Sequence, residues 1–541
     1  MMRFQLTLPH ILERANKYYP QTEIVSRLPD KSLHRTTYRD FYRRARALAE
    51  GLTRAGLKRG DRVGTLMWNH YAHLEAYFGI PCAGGVLHTL NLRLHPSDLE
   101  YIVNDAEDRF LIVDDVLLPV LERFRDRVNF ERIFVFRYSG DKSVNGKGLE
   151  DYEDLLASAS GNFTYPELDE YEALGMCYTS GTTGRPRGVV YSHRSTVIHS
   201  YNCALPIANN LSPHDVVMPV VPMFHANAWG LPFACVMVGA KLVFPGPHVD
   251  GQSIVELFEK EQVTFSAGVP TVWLGVLQLL EQDSQRRRFS PNLRLVVGGS
   301  AAPEAMIRGF DKFGITVVHA WGMTETSPLA TISKLKPPLD SLSEDERYAY
   351  RAKQGYPAPF VELRVVDDEG KEVPPDGKTM GEIQVRGPYV TASYYKVPPS
   401  PDKFTADGWL RTGDVATVDE HGYIRITDRT KDLIKSGGEW ISSVDLENAL
   451  MGHPAVAEAA VIAVPHPKWA ERPLAVVVLK PGAKATPEEL NKFLEGKFAK
   501  WWLPDEYVFT DSIPRTSTGK FLKSALREQY AKRKAEEMKV A

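Results

Sequence analysis

The sequence predicts an α/β protein with largely parallel sheets, followed by a small antiparallel β unit and a separate α+β unit. Three observations predict it. Short apolar runs alternate with helical patterns through the first two thirds of the chain; from about Gly355 strand-like runs follow one another across turns; and beyond a charged segment near residues 428–438 both patterns mix. At 541 residues the chain exceeds a single hydrophobic core, so at least two domains are expected.

The elements follow in order. Residues 37–58, TYRDFYRRARALAEGLTRAGLK, carry apolar positions at helical spacing; RVGTLMWN then reads as a short strand and leads into another helical stretch. LGMCY is strand-like, and VVYSHRSTVIHS reads as a helix. VVMPVVPMF, KLVFPG, VTFSAGVP, LRLVVGGS and TVVHAWG are short buried strands separated by helical patterns. FVELRVVDDEG, GEIQVRG and GYIRITDR are joined by turn residues without helices between them, which predicts a small antiparallel sheet or barrel. DRTKDLIKSGG marks a domain boundary, and SSVDLENALMGHPAVAEAAVIAVPH, LAVVVLKPG and TPEELNKFLEGKFAKWWLPD form the α+β unit beyond it. No internal repeat is visible.

Composition excludes several functions. A formal net charge of -3 gives no reason to expect a nucleic-acid or anionic-membrane partner. The four cysteines, Cys82, Cys177, Cys203 and Cys235, are far apart, form no metal-ligand spacing and point to a reducing compartment. Charges interrupt the N-terminal segment where a signal peptide needs an apolar stretch, and no uncharged apolar run approaches the roughly 18 residues of a membrane helix. A cytoplasmic protein without a membrane span is expected.

Five stretches carry chemistry. YTSGTTGRPRG, residues 178–188, combines glycines that let the backbone approach a ligand with hydroxyls and with Arg185 and Arg187. It suits a phosphate cradle, although a Gly/Thr loop taken alone is more often a mobile surface turn; it is not the GxxxxGK[ST] pattern. GGSAAP (298–303) and HAWGMTETSP (319–328) put glycines at the C-terminal ends of strands, where open α/β sheets bind ligands. Trp321 offers a flat face for a purine or a core packing group, and Thr324 with Glu325 a hydroxyl and a carboxylate suited to magnesium. In TGD (412–414) the Asp414 carboxylate can accept from both hydroxyls of a ribose or stabilise a turn, and PRTSTGK (514–520) ends in Lys520.

Each signal is weak alone, but their order and spacing are specific. The chain resembles the adenylate-forming superfamily of acyl- and aryl-CoA synthetases, nonribosomal adenylation domains and beetle luciferases, over about residues 10–530. Through PMFHANAWGLPF, DRTKDLIKSGGEWISSVDLEN and VPHPKWAERP it is most similar to the bacterial medium- and long-chain fatty acyl-CoA synthetases. The resemblance implies an N-terminal AMP-binding domain over 1–428, made of two α/β subdomains and a small β-barrel at about 345–427. It also implies a hinge at 429–433 and a smaller mobile α+β domain at 434–541.

The resemblance also implies roles. Thr179, Ser180, Gly181, Thr182, Thr183 and Gly184 would bind the β- and γ-phosphates with Arg187, an arginine where the family usually has lysine. Thr179 and Glu325 would meet magnesium; Gly299, His319, Ala320, Trp321 and Thr324 would surround adenine and the α-phosphate; Asp414 would hold the ribose with Arg429 beside it. Lys431 would be the hinge, Lys435 a basic residue facing nucleotide or CoA, and Lys520 the lysine at the α-phosphate and carboxylate. His225 would flank the carboxylate and Trp229 guard the acyl tunnel, while rotation about Lys431 would bring Gly437, Gly438 and Glu439 in for the thiol step.

The implied reaction uses ATP, Mg2+ and CoA. A fatty carboxylate attacks the α-phosphate, releasing pyrophosphate, and CoA then takes the acyl group from the adenylate, leaving AMP. FHANAWGLPFAC has no carboxylate to hold an amino group, which favours an aliphatic acid. An aryl- or branched-acid CoA ligase, or an adenylating enzyme loading a separate carrier protein, is the alternative; no carrier domain is expected in the 21 residues after Lys520. The close relatives imply a homodimer.

Overall fold

A computed structural model describes all residues except 142–145, 180–184, 283–286, 430, 438, 516–520 and 531–541. Its N-terminal portion is built on two large sheets. The first runs, edge to edge, through Leu149–Asp151, Arg132–Phe136, Asp108–Asp114, Arg62–Leu66, Val86–Thr89, Ala173–Tyr178 and Gly188–Ser192. Every pairing is parallel except the last. The second has nine strands, with a parallel centre of Thr316–Gly322, Arg294–Val297, Phe265–Gly268, Val216–Pro219, Lys241–Phe244 and Glu23–Arg27. Antiparallel strands close both of its edges.

The short apolar runs are strands because both faces are covered. Leu295, Val296 and Val297, for example, are all buried, which explains why the runs lack alternation. One apolar core joins the two sheets through the helices Leu8–Tyr18, Tyr38–Arg54, Tyr71–Cys82 and Leu231–Val238. Within the expected span 37–58, the helix is set by a capping box: the Asp40 N–H donates to Thr37 Oγ1 and the Thr37 N–H to the Asp40 carboxylate. It ends before Gly56, whose φ of +96° is left-handed.

One expectation is corrected. VVYS does not belong to a helix: Gly188–Ser192 is an edge strand antiparallel to Ala173–Tyr178, and the helix begins at His193 with Ser192 as its N-cap. Val189 and Tyr191 are buried while Val190 is exposed, the alternation of a strand with one covered face. The glycine–threonine loop therefore connects two paired strands and does not open onto a helix N-terminus.

The small β unit is a four-stranded antiparallel meander, Glu362–Val366, Gly381–Arg386, Leu410–Val418 and Ile424–Arg429. Its outer strands are not paired with each other among the described residues, so of the two expected forms it takes the open sheet, not the closed barrel. The C-terminal α+β unit centres on the hairpin Val456–His466 and Ala470–Leu479, covered by the helices Ser443–Met451 and Pro487–Leu494. All four cysteines are buried and free. Among the described residues no helix is long and apolar enough to cross a membrane.

Gly322 illustrates how tightly the strand ends are packed. A Cβ there would lie 1.7 Å from the Pro328 carbonyl oxygen. Gly322→Ala is expected to lower stability by about 3 kcal/mol, read as a reduced urea midpoint; an unchanged midpoint would show that the turn can relax.

Candidate active site

The C-terminal ends of the central strands open into a cavity of about 930 Å³ that also reaches the meander and the α+β unit. Thr179, Arg187, His225, Trp229, Gly299, His319, Ala320, Trp321, Thr324, Glu325, Asp414, Arg429 and Lys431 all line it. Residues separated by more than 250 positions are thus brought to one wall.

The glycine–threonine loop is pinched at its base. The Thr179 N–H donates to the Arg187 carbonyl at 2.9 Å, and the Arg187 N–H returns a bond to Thr179 Oγ1 at 3.1 Å. Ser180, Gly181, Thr182, Thr183 and Gly184 lie outside the described residues. Arg187 stacks over the Tyr394 ring at 5.1 Å, and Arg185 over Tyr101 at 5.2 Å.

Glu325 sits in a 3-10 turn at Thr324–Thr326 and is 7% exposed. The Tyr394 hydroxyl donates to its Oε1 at 2.7 Å, the Thr391 N–H donates to its carbonyl, and the Tyr191 hydroxyl holds the Thr324 carbonyl at 2.8 Å. Tyr394 therefore touches both the carboxylate and the guanidinium of the site. Burial, and then the Glu325 charge, raise its phenol well above the usual range, so it stays a proton donor at neutral pH. Sequence reading missed it, since it lies 69 residues from Glu325 and in no motif of its own.

Asp414 stands on the strand Leu410–Val418 opposite Arg429. Its Oδ2 accepts the Trp321 indole N–H at 2.9 Å and its Oδ1 lies 3.3 Å from Arg429 Nε. Trp321 lines the cavity, yet it is only 8% exposed, packs into the apolar core of the meander and directs its N–H to Asp414. It is thus a packing group that also orients a carboxylate. His319 is buried, which lowers its pKa to about 4, and its Nδ1 is 2.9 Å from the Ala352 carbonyl; as a neutral ring it donates that proton. Gly299 has φ +84°.

His225 and Trp229 flank a left-handed turn. Ala226, Asn227, Ala228, Trp229 and Gly230 have φ of +42°, +54°, +50°, +55° and +73°, a conformation that costs L-residues about 1 kcal/mol or more each. The Cys177 thiol donates to Asn227 Oδ1 at 2.9 Å inside this turn. The Trp229 ring fills the space at Gly298, where a Cβ would come within 3.1 Å of it. Leu231, Ala267, Pro270, Leu274 and Val296 also line the cavity and give it an apolar portion.

Two expected site residues are not in this wall. Lys435 is exposed, with its ammonium 4.4 Å from the Trp440 ring centre, and the Gly437 N–H donates to the Trp469 carbonyl at 2.9 Å. Glu439 begins the strand Glu439–Ile441 that pairs with the strand of Lys435. Gly438 and Lys520 lie outside the described residues; Arg515 and Phe521, on either side of Lys520 in sequence, line the cavity.

The family model described as AMP-binding enzyme matches residues 12–395, and the AMP-binding enzyme C-terminal domain matches residues 445–520. The chain is 54% identical to the long-chain-fatty-acid–CoA ligase of Thermus thermophilus over 98% of its own length and 96% of that protein. It is 44% identical to the medium-chain-fatty-acid–CoA ligase of Ectopseudomonas oleovorans over 98% and 97%. Among solved structures it is similar to an anthranilate CoA ligase in complex with anthranoyl-AMP, with a TM-score of 0.86, 25% identity and 98% of each chain covered.

Proposed function

Because the chain belongs to the AMP-binding enzyme family, we propose that it activates a medium- or long-chain fatty acid with ATP, releasing pyrophosphate, and passes the acyl group from the adenylate to CoA. One observation carries this reading: a single cavity is lined both by Arg187, Glu325 and Asp414 and by the apolar side chains of Trp229, Leu231, Pro270, Leu274 and Val296. An adenylate of a fatty acid has the same division between polar and apolar parts.

The residues fit the chemistry. Arg187, the loop amides and hydroxyls, and Lys520 neutralise phosphate charge, and Asp414 accepts from the ribose hydroxyls. Glu325 with Thr179 would hold a magnesium ion together with the phosphates; a single carboxylate plus substrate oxygens is a donor set this cation favours. The ion would neutralise charge on the leaving pyrophosphate. His225 flanks the carboxylate. Each methylene buried behind Trp229 contributes about 0.8 kcal/mol, so chain length would be selected where the apolar wall closes. The reading includes a homodimer working in the cytoplasm; Phe4 and Tyr18, exposed near the N-terminus, offer apolar groups for such a contact, and sedimentation tests it.

The decisive experiment measures AMP formation with CoA across saturated acids of increasing length, with aryl acids and amino acids as controls. A higher kcat/KM for fatty acids is expected; preference for aryl acids, or for a pantetheinylated carrier protein over CoA, overturns the assignment. Tyr394→Phe removes the hydroxyl that holds Glu325 while keeping the ring beneath Arg187. It is expected to raise the KM for ATP about three- to tenfold at fixed magnesium, with little change in kcat at saturation; an unchanged KM would show that Glu325 is held without it.

A further inference from the structure

A buried polar cluster bridges the junction between the large and small domains, drawing Asp428, Ser442, Ser443 and Glu447 from the DRTKDLIKSGGEWISSVDLEN stretch and Lys523 from beyond it. Asp428 ends the meander and is 1% exposed. Its Oδ2 accepts the Ser443 N–H at 2.7 Å and also the Ser443 hydroxyl, while Oδ1 accepts the Arg429 N–H at 2.8 Å. Ser443 opens the helix Ser443–Met451 of the small domain. Its Oγ in turn accepts from Lys523 Nζ at 2.6 Å, and the same ammonium pairs with Glu447 at 2.6 Å. Glu447 is further fixed by the Val461 N–H at 2.7 Å, and the neighbouring Ser442 hydroxyl donates to the Thr427 carbonyl.

The sides of the junction divide these contacts. Glu447, Ser443 and Lys523 all belong to the small domain, whereas Asp428 and Thr427 belong to the large one. Phe521, Leu522, Lys523, Ser524 and Arg527 form part of the cavity wall, so the cluster ties to the large domain the very segment that completes the cavity.

We propose that Asp428 and Lys523 are positioning residues for adenylate formation, clamping the small domain across residues 429–433 in the arrangement that closes the cavity. The clamp is reversible by construction. Rotation of the small domain parts Asp428 from Ser443, but Lys523 keeps Glu447 as its partner and no ammonium is left buried alone. Burial raises the Asp428 pKa above the usual carboxylate value, and the nearby Lys523 charge offsets part of that rise. The clamp acts only on the half-reaction that needs the closed arrangement, an inference that rests on the fatty acyl-CoA ligase reading.

Asp428→Asn keeps shape and removes the charge; Ser443→Ala removes the hydroxyl bridge. In single turnover, pyrophosphate release is expected to fall about tenfold or more in Asp428→Asn and in the same direction in Ser443→Ala. Transfer from chemically made acyl-adenylate to CoA should stay within about twofold of the parent. Equal slowing of both half-reactions, or no change in either, overturns the clamp. Energy transfer between labels on the two domains gives a reading independent of the substrate: Asp428→Asn should broaden the interdomain distance, and an unchanged distance also overturns the proposal. A parent protein that activates no fatty acid would overturn the substrate assignment, leaving the distance measurement to decide the clamp.

Discussion

Glu325→Gln is expected to slow pyrophosphate release about 10²–10³-fold while leaving transfer from a supplied acyl-adenylate to CoA nearly unchanged. Glutamine retains an oxygen for the Tyr394 hydroxyl, 2.7 Å away in the parent protein, so the turn at Thr324–Thr326 keeps its anchor. What disappears is the negative charge that would hold a divalent cation against the departing phosphates. Adenylate formation depends on neutralising that charge, and removing one electrostatic partner from such a site costs about 2.7–4 kcal/mol. The second half-reaction expels AMP and moves no pyrophosphate. Single-turnover assays of the two steps separate the cases: equal losses in both would mean that Glu325 supports the fold of the site rather than the cation.

Asp414→Asn should act differently. The ribose is present in ATP, in the adenylate and in AMP, so both half-reactions should suffer, mainly through binding. An asparagine oxygen can still accept the Trp321 indole N–H, but it lacks the charge facing Arg429, 3.3 Å away. A charge-assisted hydrogen bond contributes about 1.5–3 kcal/mol, which translates to ATP and AMP binding about 10–100-fold weaker. Calorimetry with each nucleotide measures it directly. Affinity for both nucleotides within about twofold of the parent would place the ribose contact elsewhere.

The division between what could be read early and what could not follows the range of the interactions. The parallel strands were legible because LRLVV, VTFSAG and TVVHAWG are local apolar runs bounded by glycine, and the helix at Tyr38–Arg54 because its cap and its period lie within one segment. VVYS was misread because an edge strand of five residues, Gly188–Ser192, shows too little alternation beside the strong capping signal at Ser192. The left-handed run at Ala226–Gly230 has a weak signature, since only Asn227 and Gly230 are residue types that favour it, and tertiary contacts hold the rest. Trp321 was read as an open ring for a purine or a packed one, and only the surrounding meander decided that its indole is buried against Asp414.

By itself the sequence determined the family, the order of the domains and the short contiguous motifs that face the cavity, because each is carried by neighbouring residues whose spacing survives without the fold. Only the tertiary structure decided that Tyr394 grips Glu325, that Lys435 and Gly437 do not line the cavity while Phe521, Leu522, Lys523, Ser524 and Arg527 do, and that Asp428 meets Ser443 across the junction. Those facts are sums of weak contacts between distant segments, and they come into being only once sheets and helices have brought the segments together.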